Sequence, residues 1–216
     1  MPKDIIIKEA EAFVISVLAD DPSGHDWWHI ERVRQLAMRI AHEEHANVFI
    51  CELAALLHDI ADDKLNESEA AGLKQVSAWL TNHGVLDDDK TAILEIIQKM
   101  SFKAGLNEEK VLSLEGKIMQ DADRLDALGA IGIAITMAYA GSKGNLIHVP
   151  GTAIRTEMTL AEYCHQESKA IAHFYEKLLL LKDLMNTATG KELAKKRHSY
   201  MKASLQEFYD EWDGKA

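Results

Sequence analysis

Ala54-Ala55-Leu56-Leu57-His58-Asp59-Ile60 is a short apolar run that ends in an imidazole and a carboxylate side by side. Such a run is normally a buried helix or strand, and an ionisable pair at its end is costly to bury without partners. The partner that suits a neutral imidazole and a carboxylate together is a metal cation. Read outward, Val48 to Ile60 is apolar nearly all round, the pattern of a central helix enclosed by others. The abruptly polar Ala61-Asp62-Asp63-Lys64 follows it.

The flanking segments also read as helices. Ile5 to Leu18 puts Ile6, Ala10, Phe13, Val14 and Val17 on one stripe, and Asp20-Asp21-Pro22-Ser23-Gly24 stops it. His25 to Glu44 is a second helix, capped by Asp26, with Ile30, Val33, Leu36, Ala37 and Ile40 as its apolar face. Beyond the central run, Glu67 to Asn82 turns Ala70, Leu73, Val76 and Leu80 inward, with Gly84 as a stop. Asp87 to Met100 does the same with Ile93, Ile96, Ile97 and Met100. Ser101 to Leu106 reads as a loop. A helix from about Ser113 carries Gln120-Asp121-Ala122-Asp123-Arg124-Leu125-Asp126. Gly129 to Ala140 is a small-residue apolar helix suited to close packing. The glycines and Pro150 of Gly141 to Glu162 deny it a long helix, so 141–162 reads as a long loop or lid. Tyr163 to Met185 and Lys191 to Trp212 close the chain. No strand period is strong enough to propose a sheet. One all-α domain spanning 1–216 is the simplest account.

With 216 residues, 47% hydrophobic and 27% charged, the chain can bury a large core. A net charge of −11 argues against a nucleic-acid polymer or an anionic membrane as partner, because both need a basic face. A small anion neutralised locally by a metal stays open. Cys51 and Cys164 make no disulfide framework and read as reduced thiols. No secretory signal pattern opens the sequence, and no apolar run reaches the roughly 18 residues of a membrane span. The expected compartment is the cytoplasm, and the chain is expected as a monomer or homodimer.

Adjacent helix residues point about 100° apart, so His58 and Asp59 converge only on a cation sitting over the helix end, where the dipole also favours positive charge. The bland alternative is a buried His and a terminal Asp making ordinary hydrogen bonds. His29 strengthens the metal reading. It lies near the start of the preceding helix, and short connections place the start of one helix beside the end of the next. Asp123, flanked by apolar turns, faces either solvent or a cation. Two imidazoles and two carboxylates make a mixed set that suits Mn, Fe, Ni, Co or Zn. His42 and His45 read instead as a solvated helix end.

Taken together, His29 in His-Ile-Glu-Arg-Val, His58-Asp59 in Leu-Leu-His-Asp-Ile and Asp123 in Asp-Ala-Asp-Arg-Leu-Asp resemble the signature of the HD-domain superfamily of metal-dependent phosphohydrolases. The likeness is to the small stand-alone bacterial members. It extends through His-Asp-Ile-Ala-Asp-Asp-Lys at 58–64 and His-Phe-Tyr-Glu-Lys-Leu-Leu at 173–179. The resemblance implies an all-helical fold and one divalent metal ion, whether Mn, Mg, Co, Ni, Fe or Zn, held by His29, His58, Asp59 and Asp123. Asp123 rather than Asp126 fits the family's context. His83 is the only further histidine between the doublet and that Asp, so a second metal is not expected.

Around this set, Asp62 stands four residues after His58 and shares its face if the helix continues, from where it can orient a bound water or take its proton. Asp59 is the other candidate for proton transfer. Lys64, Lys103 and Arg32 are candidate phosphate contacts, each with an ordinary surface or ion-pair reading beside it. Arg124 has the same two readings. Trp27-Trp28 can stack a base, though packing is the plainer role. His173 has no chemistry that the sequence supplies. The favoured function is hydrolysis of a phosphate ester or anhydride of a nucleotide, with pyrophosphate release from a nucleoside triphosphate as the preferred subtype. The alternative is a metal-containing nucleotide sensor without turnover. A metal-dependent oxygenase, which needs more ligands, ranks last.

Overall fold

The computed structural model describes residues 1–18, 26–62, 65–100, 112–155 and 169–215. These form nine α-helices and two 3-10 segments, with no strand among the described residues. The chain divides into two compact units, the first running to Ala122 and the second beginning at Asp123.

In the first unit, α1 (Lys3–Leu18), α2 (Trp27–Glu43) and α5 (Asp87–Met100) pack on α3 (Val48–Leu57). α3 is the buried centre that its composition requires. Leu53, Ala54, Ala55, Leu56 and Leu57 are all fully enclosed. Its N-terminus is capped by Asn47, whose side chain accepts from the Ile50 amide. The buried row of α1 is Ile6, Ile7, Ala10, Val14 and Leu18, while Val17 is 39% exposed. The i, i+4 row faces inward, so the stripe expected to include Val17 is rotated by one position.

After Leu57 the chain does not continue as an α-helix. His58 closes α3, Asp59–Ala61 form one 3-10 turn, and Asp62 is extended at φ −61°, ψ 140°. The face that His58 and Asp62 would share if the helix continued is therefore not built, because it needs an unbroken helical turn. α4 (Glu69–Asn82) packs on this 3-10 turn and on α5. Its inward positions are Gly72, Val76, Trp79 and Leu80, and Ala70 faces solvent.

α6 (Leu114–Asp126) contributes to both units. The second unit holds α7 (Gly129–Ser142), α8 (Ala170–Glu176), a 3-10 segment (Leu178–Leu184) and α9 (Ala188–Trp212). The expected helix to Met185 is broken at Lys177, which sits at φ −136°. Beyond it, Leu178 and Leu181 are buried three residues apart, a spacing that lines up on one side of a 3-10 helix. α9 starts earlier than expected, because Thr187 accepts from the Gly190 amide at 2.9 Å and caps it. Of the expected lid at 141–162, the first two residues finish α7, and 156–162 lies outside the described residues. The stretch between is fastened to α8. The Ala170 and Ile171 amides donate to the Leu146 and Ile147 carbonyls. Arg155 also forks onto the buried Glu176 carboxylate at 2.8 and 2.6 Å. No single helix among the described residues is long and apolar enough to cross a membrane.

Candidate metal centre

Two helix ends build the centre. Asp26 caps α2 with its carboxylate on the His29 amide at 2.9 Å, which fixes the backbone of the first histidine. α2 packs along α3, so the start of one helix meets the end of the other. The rings of His29 and His58 stand edge to face with centroids 5.6 Å apart. Asp59 lies between them: Oδ1 is 3.2 Å from His58 Nε2, and Oδ2 is 3.7 Å from His29 Nε2. One ligand atom from each of the three residues falls within 4.8 Å of the others. All three side chains are about nine-tenths buried.

The donor set tests well against a divalent cation. His58 Nδ1 lies 2.8 Å from the Ala55 carbonyl, and a carbonyl only accepts, so Nδ1 carries the proton. Nε2 is then the lone-pair nitrogen, buried and without a hydrogen-bond partner. A buried lone pair set 3.2 Å from a carboxylate oxygen is an unfavourable pairing that a cation between them would turn favourable. The carbonyl also supplies the outer contact that commonly orients a metal-binding imidazole.

The other expected site residues fall as follows. Asp123 lies in the last turn of α6, in the second unit, while the three-residue cluster forms within the first unit alone. Asp62 follows the 3-10 turn, and its amide donates to the Asp59 carbonyl. Arg32 lies one turn after His29 on α2. Lys64, Lys103 and Cys164 lie outside the described residues. Arg124 donates to the Leu184 carbonyl. Trp28 is 64% exposed, against the packing role expected of it. His83 is held structurally: its ring stacks on Trp79 at 3.9 Å, and Nδ1 bonds the Trp79 carbonyl at 2.7 Å. Cys51 is a free thiol in the core, pushed up to about 12 by burial and then by Glu115. His42 and His45 are exposed, as a solvated helix end requires. Asp121 is a further carboxylate, fully buried and not singled out by any sequence motif. Its place in the apolar row Ile118, Met119, Ala122 and Leu125 was the signal available.

Comparison with known proteins shows the family and the fold. A family model described as the HD domain matches residues 27–128. A Lactobacillus plantarum protein of solved structure is 42% identical, with a TM-score of 0.84 over 99% of this chain and 100% of that one. A structure described as an HD-superfamily hydrolase from Bacillus thuringiensis is 45% identical, with a TM-score of 0.81 and 98% of both chains covered. The Bacillus subtilis protein YpgQ, described as uncharacterized, is 42% identical over 199 residues, 90% of this chain and 89% of that protein. Its crystal structure in complex with ADP aligns at a TM-score of 0.79 and 37% identity, covering 98% of this chain and 97% of that one.

Proposed function

The chain belongs to the HD-domain family, and from that premise we propose that it is a metal-dependent phosphohydrolase acting on a nucleotide. The observation that carries the proposal is the convergence of His29, His58 and Asp59, with the buried Nε2 of His58 turned toward the Asp59 carboxylate. His29, His58 and Asp59 would hold one divalent cation, with Asp123 as the fourth ligand. When bound, the cation supplies charge for phosphate oxygens and lowers the pKa of a water toward neutrality. In the reaction, water adds across a phosphorus–oxygen bond and gives two products, one bearing the new P–OH group. Asp62 or Asp59 accepts the proton that the water sheds. Lys64, Lys103 and Arg32 steady the phosphate. The ADP held by YpgQ supports a nucleotide as the substrate class. Within that class, pyrophosphate release from a nucleoside triphosphate is the preferred reaction. The free, buried Cys51 thiol is in keeping with a cytoplasmic setting.

A nucleotide panel tests this, run from monophosphates to triphosphates on stripped protein with Mn, Mg, Co, Ni, Fe or Zn added back. Metal-dependent turnover is expected in the wild type and is lost, together with metal binding, in His58→Ala and Asp59→Ala. Pyrophosphate rather than orthophosphate as product identifies the bond. Full activity in either variant would sink the proposal. Tight metal retention with no turnover on any nucleotide would favour a sensing role instead.

A further inference from the structure

The turn that carries Asp59 is held by two residues that the donor set does not include. A helix C-terminus leaves its last carbonyls without intrahelical donors. Here α3 gives way to the 3-10 turn Asp59–Ala61, and the carbonyls that follow need partners from elsewhere. The Leu65 amide donates to the Asp62 carbonyl at 3.1 Å, and Asn66 supplies a side-chain donor. Its Nδ2 donates to the Ile60 carbonyl and to the Asp62 carbonyl, both at 2.8 Å. One amide group thus ties the residue after Asp59 to the residue after the turn.

α4 closes over the same turn, and Gly72 permits the approach. A Cβ at Gly72 would stand 2.7 Å from both the Ala61 Cα and the Ala61 carbonyl oxygen, and 2.8 Å from Asn66 Nδ2. Two of these three atoms are backbone, so a side chain here must displace the turn itself or push Asn66 off its carbonyls. Asn66 and Gly72 act on one element from two sides. The first bonds it, and the second lets a helix press on it.

We propose that Asn66 and Gly72 are positioning residues of the metal centre, setting cation affinity and geometry by holding the Asp59 turn in register with His58 and His29. The inference rests on the metal reading above, and the experiment separates the two. Cobalt(II) is the probe, because its visible absorption reports coordination geometry and its titration reports affinity. Wild type, Asn66→Asp, Asn66→Gln and Gly72→Ala are stripped and titrated at one temperature, with helical circular dichroism and a melting curve taken on each stripped protein.

The expected result is a wild-type cobalt spectrum that changes shape in Asn66→Asp and Gly72→Ala. Affinity should fall about 10- to 100-fold, the usual cost of losing an outer contact. Both stripped variants should remain helical. Asn66→Asp keeps the side-chain size but offers no donor to the carbonyls, so it should be the weaker of the two Asn66 variants. Asn66→Gln keeps the amide donors and should recover part of the affinity. Wild-type spectrum and affinity in both Asn66→Asp and Gly72→Ala would overturn the inference and leave the metal reading intact. So would a loss of metal that only follows unfolding of the stripped variants, because the role would then be structural. Absence of cobalt binding in the wild type would instead overturn the metal reading and this inference with it.

Discussion

His58 is fixed from two directions, and its chemistry follows from both. The Ala55 carbonyl accepts a hydrogen bond from Nδ1–H and leaves Nε2 as the lone-pair nitrogen facing Asp59. His29 is fixed through its backbone instead, by the Asp26 carboxylate on its amide. Asp26 therefore does two tasks, capping α2 and setting where the first histidine starts. Replacing it should cost about 1 kcal/mol, the usual worth of an N-cap, and should weaken metal binding in the same variant. Denaturant titration of Asp26→Ala beside a cobalt titration checks this. A stability loss with wild-type metal affinity would confine Asp26 to capping. Residue identities of this kind are legible in a sequence, since Asp before an apolar-periodic run is a start signal. The pairing of His58 with a carbonyl three residues back is not, because it depends on a side-chain rotamer.

At the scale of elements, the decisive event is that α3 stops. An apolar run carries no mark of whether its last turn is α or 3-10, so the helix expected to reach Ile60 ends at Leu57 and the shared face that required its continuation to Asp62 is not built. The same holds for the break at Lys177, where the leucines alone suggest one long helix. The small-residue pattern of Gly129 to Ala140 suggests close packing along the helix, but only Gly129, Gly132 and Ala140 of α7 are buried. The tight contact is local: a Cβ at Gly132 would lie 2.2 Å from the carbonyl oxygen of Ala127, in the turn before the helix. Gly-to-Ala in a helix normally gains about 1 kcal/mol in propensity. Here the obstructing atom is backbone and cannot rotate away, so overpacking outweighs the gain. Gly132→Ala should lose about 1–3 kcal/mol. A higher melting temperature for that variant would contradict the contact.

At the scale of the whole molecule, pH is the informative variable. The His173 pKa is lowered from its ordinary 6.5 to about 4, first by burial and then by Lys177 and Arg155, with Glu176 opposing. The folded protein thus resists a proton that the unfolded chain accepts. The His173 contribution is complete above pH 6.5 and is lost as pH falls toward 4. At about 1.4 kcal/mol per pKa unit, the loss across that window is about 3 kcal/mol. Urea denaturation at steps between pH 7 and pH 4 should show this decline, and His173→Gln, which takes up no proton there, should show a shallower one. Identical slopes would remove His173 from the account. His173 had no chemistry in sequence; its burial on α8, close to charges from its own helix and from Arg155, gives it one.

The sequence by itself determined that the molecule is helical, that the apolar run from Val48 forms its buried centre, and that a His-Asp pair stands at the end of that run, with a second histidine near the start of the preceding helix. Hydrophobic periodicity and cap residues act over a few positions, so a linear reading can recover them. Tertiary structure alone decided how the ligand-bearing turn is held. Asn66 reaching back to two carbonyls, Gly72 admitting a helix against Ala61, and the buried Nε2 of His58 each depend on atoms brought together by packing. Such contacts turn on fractions of an ångström in close-packed surroundings, and no residue spacing along the chain encodes a distance of that kind.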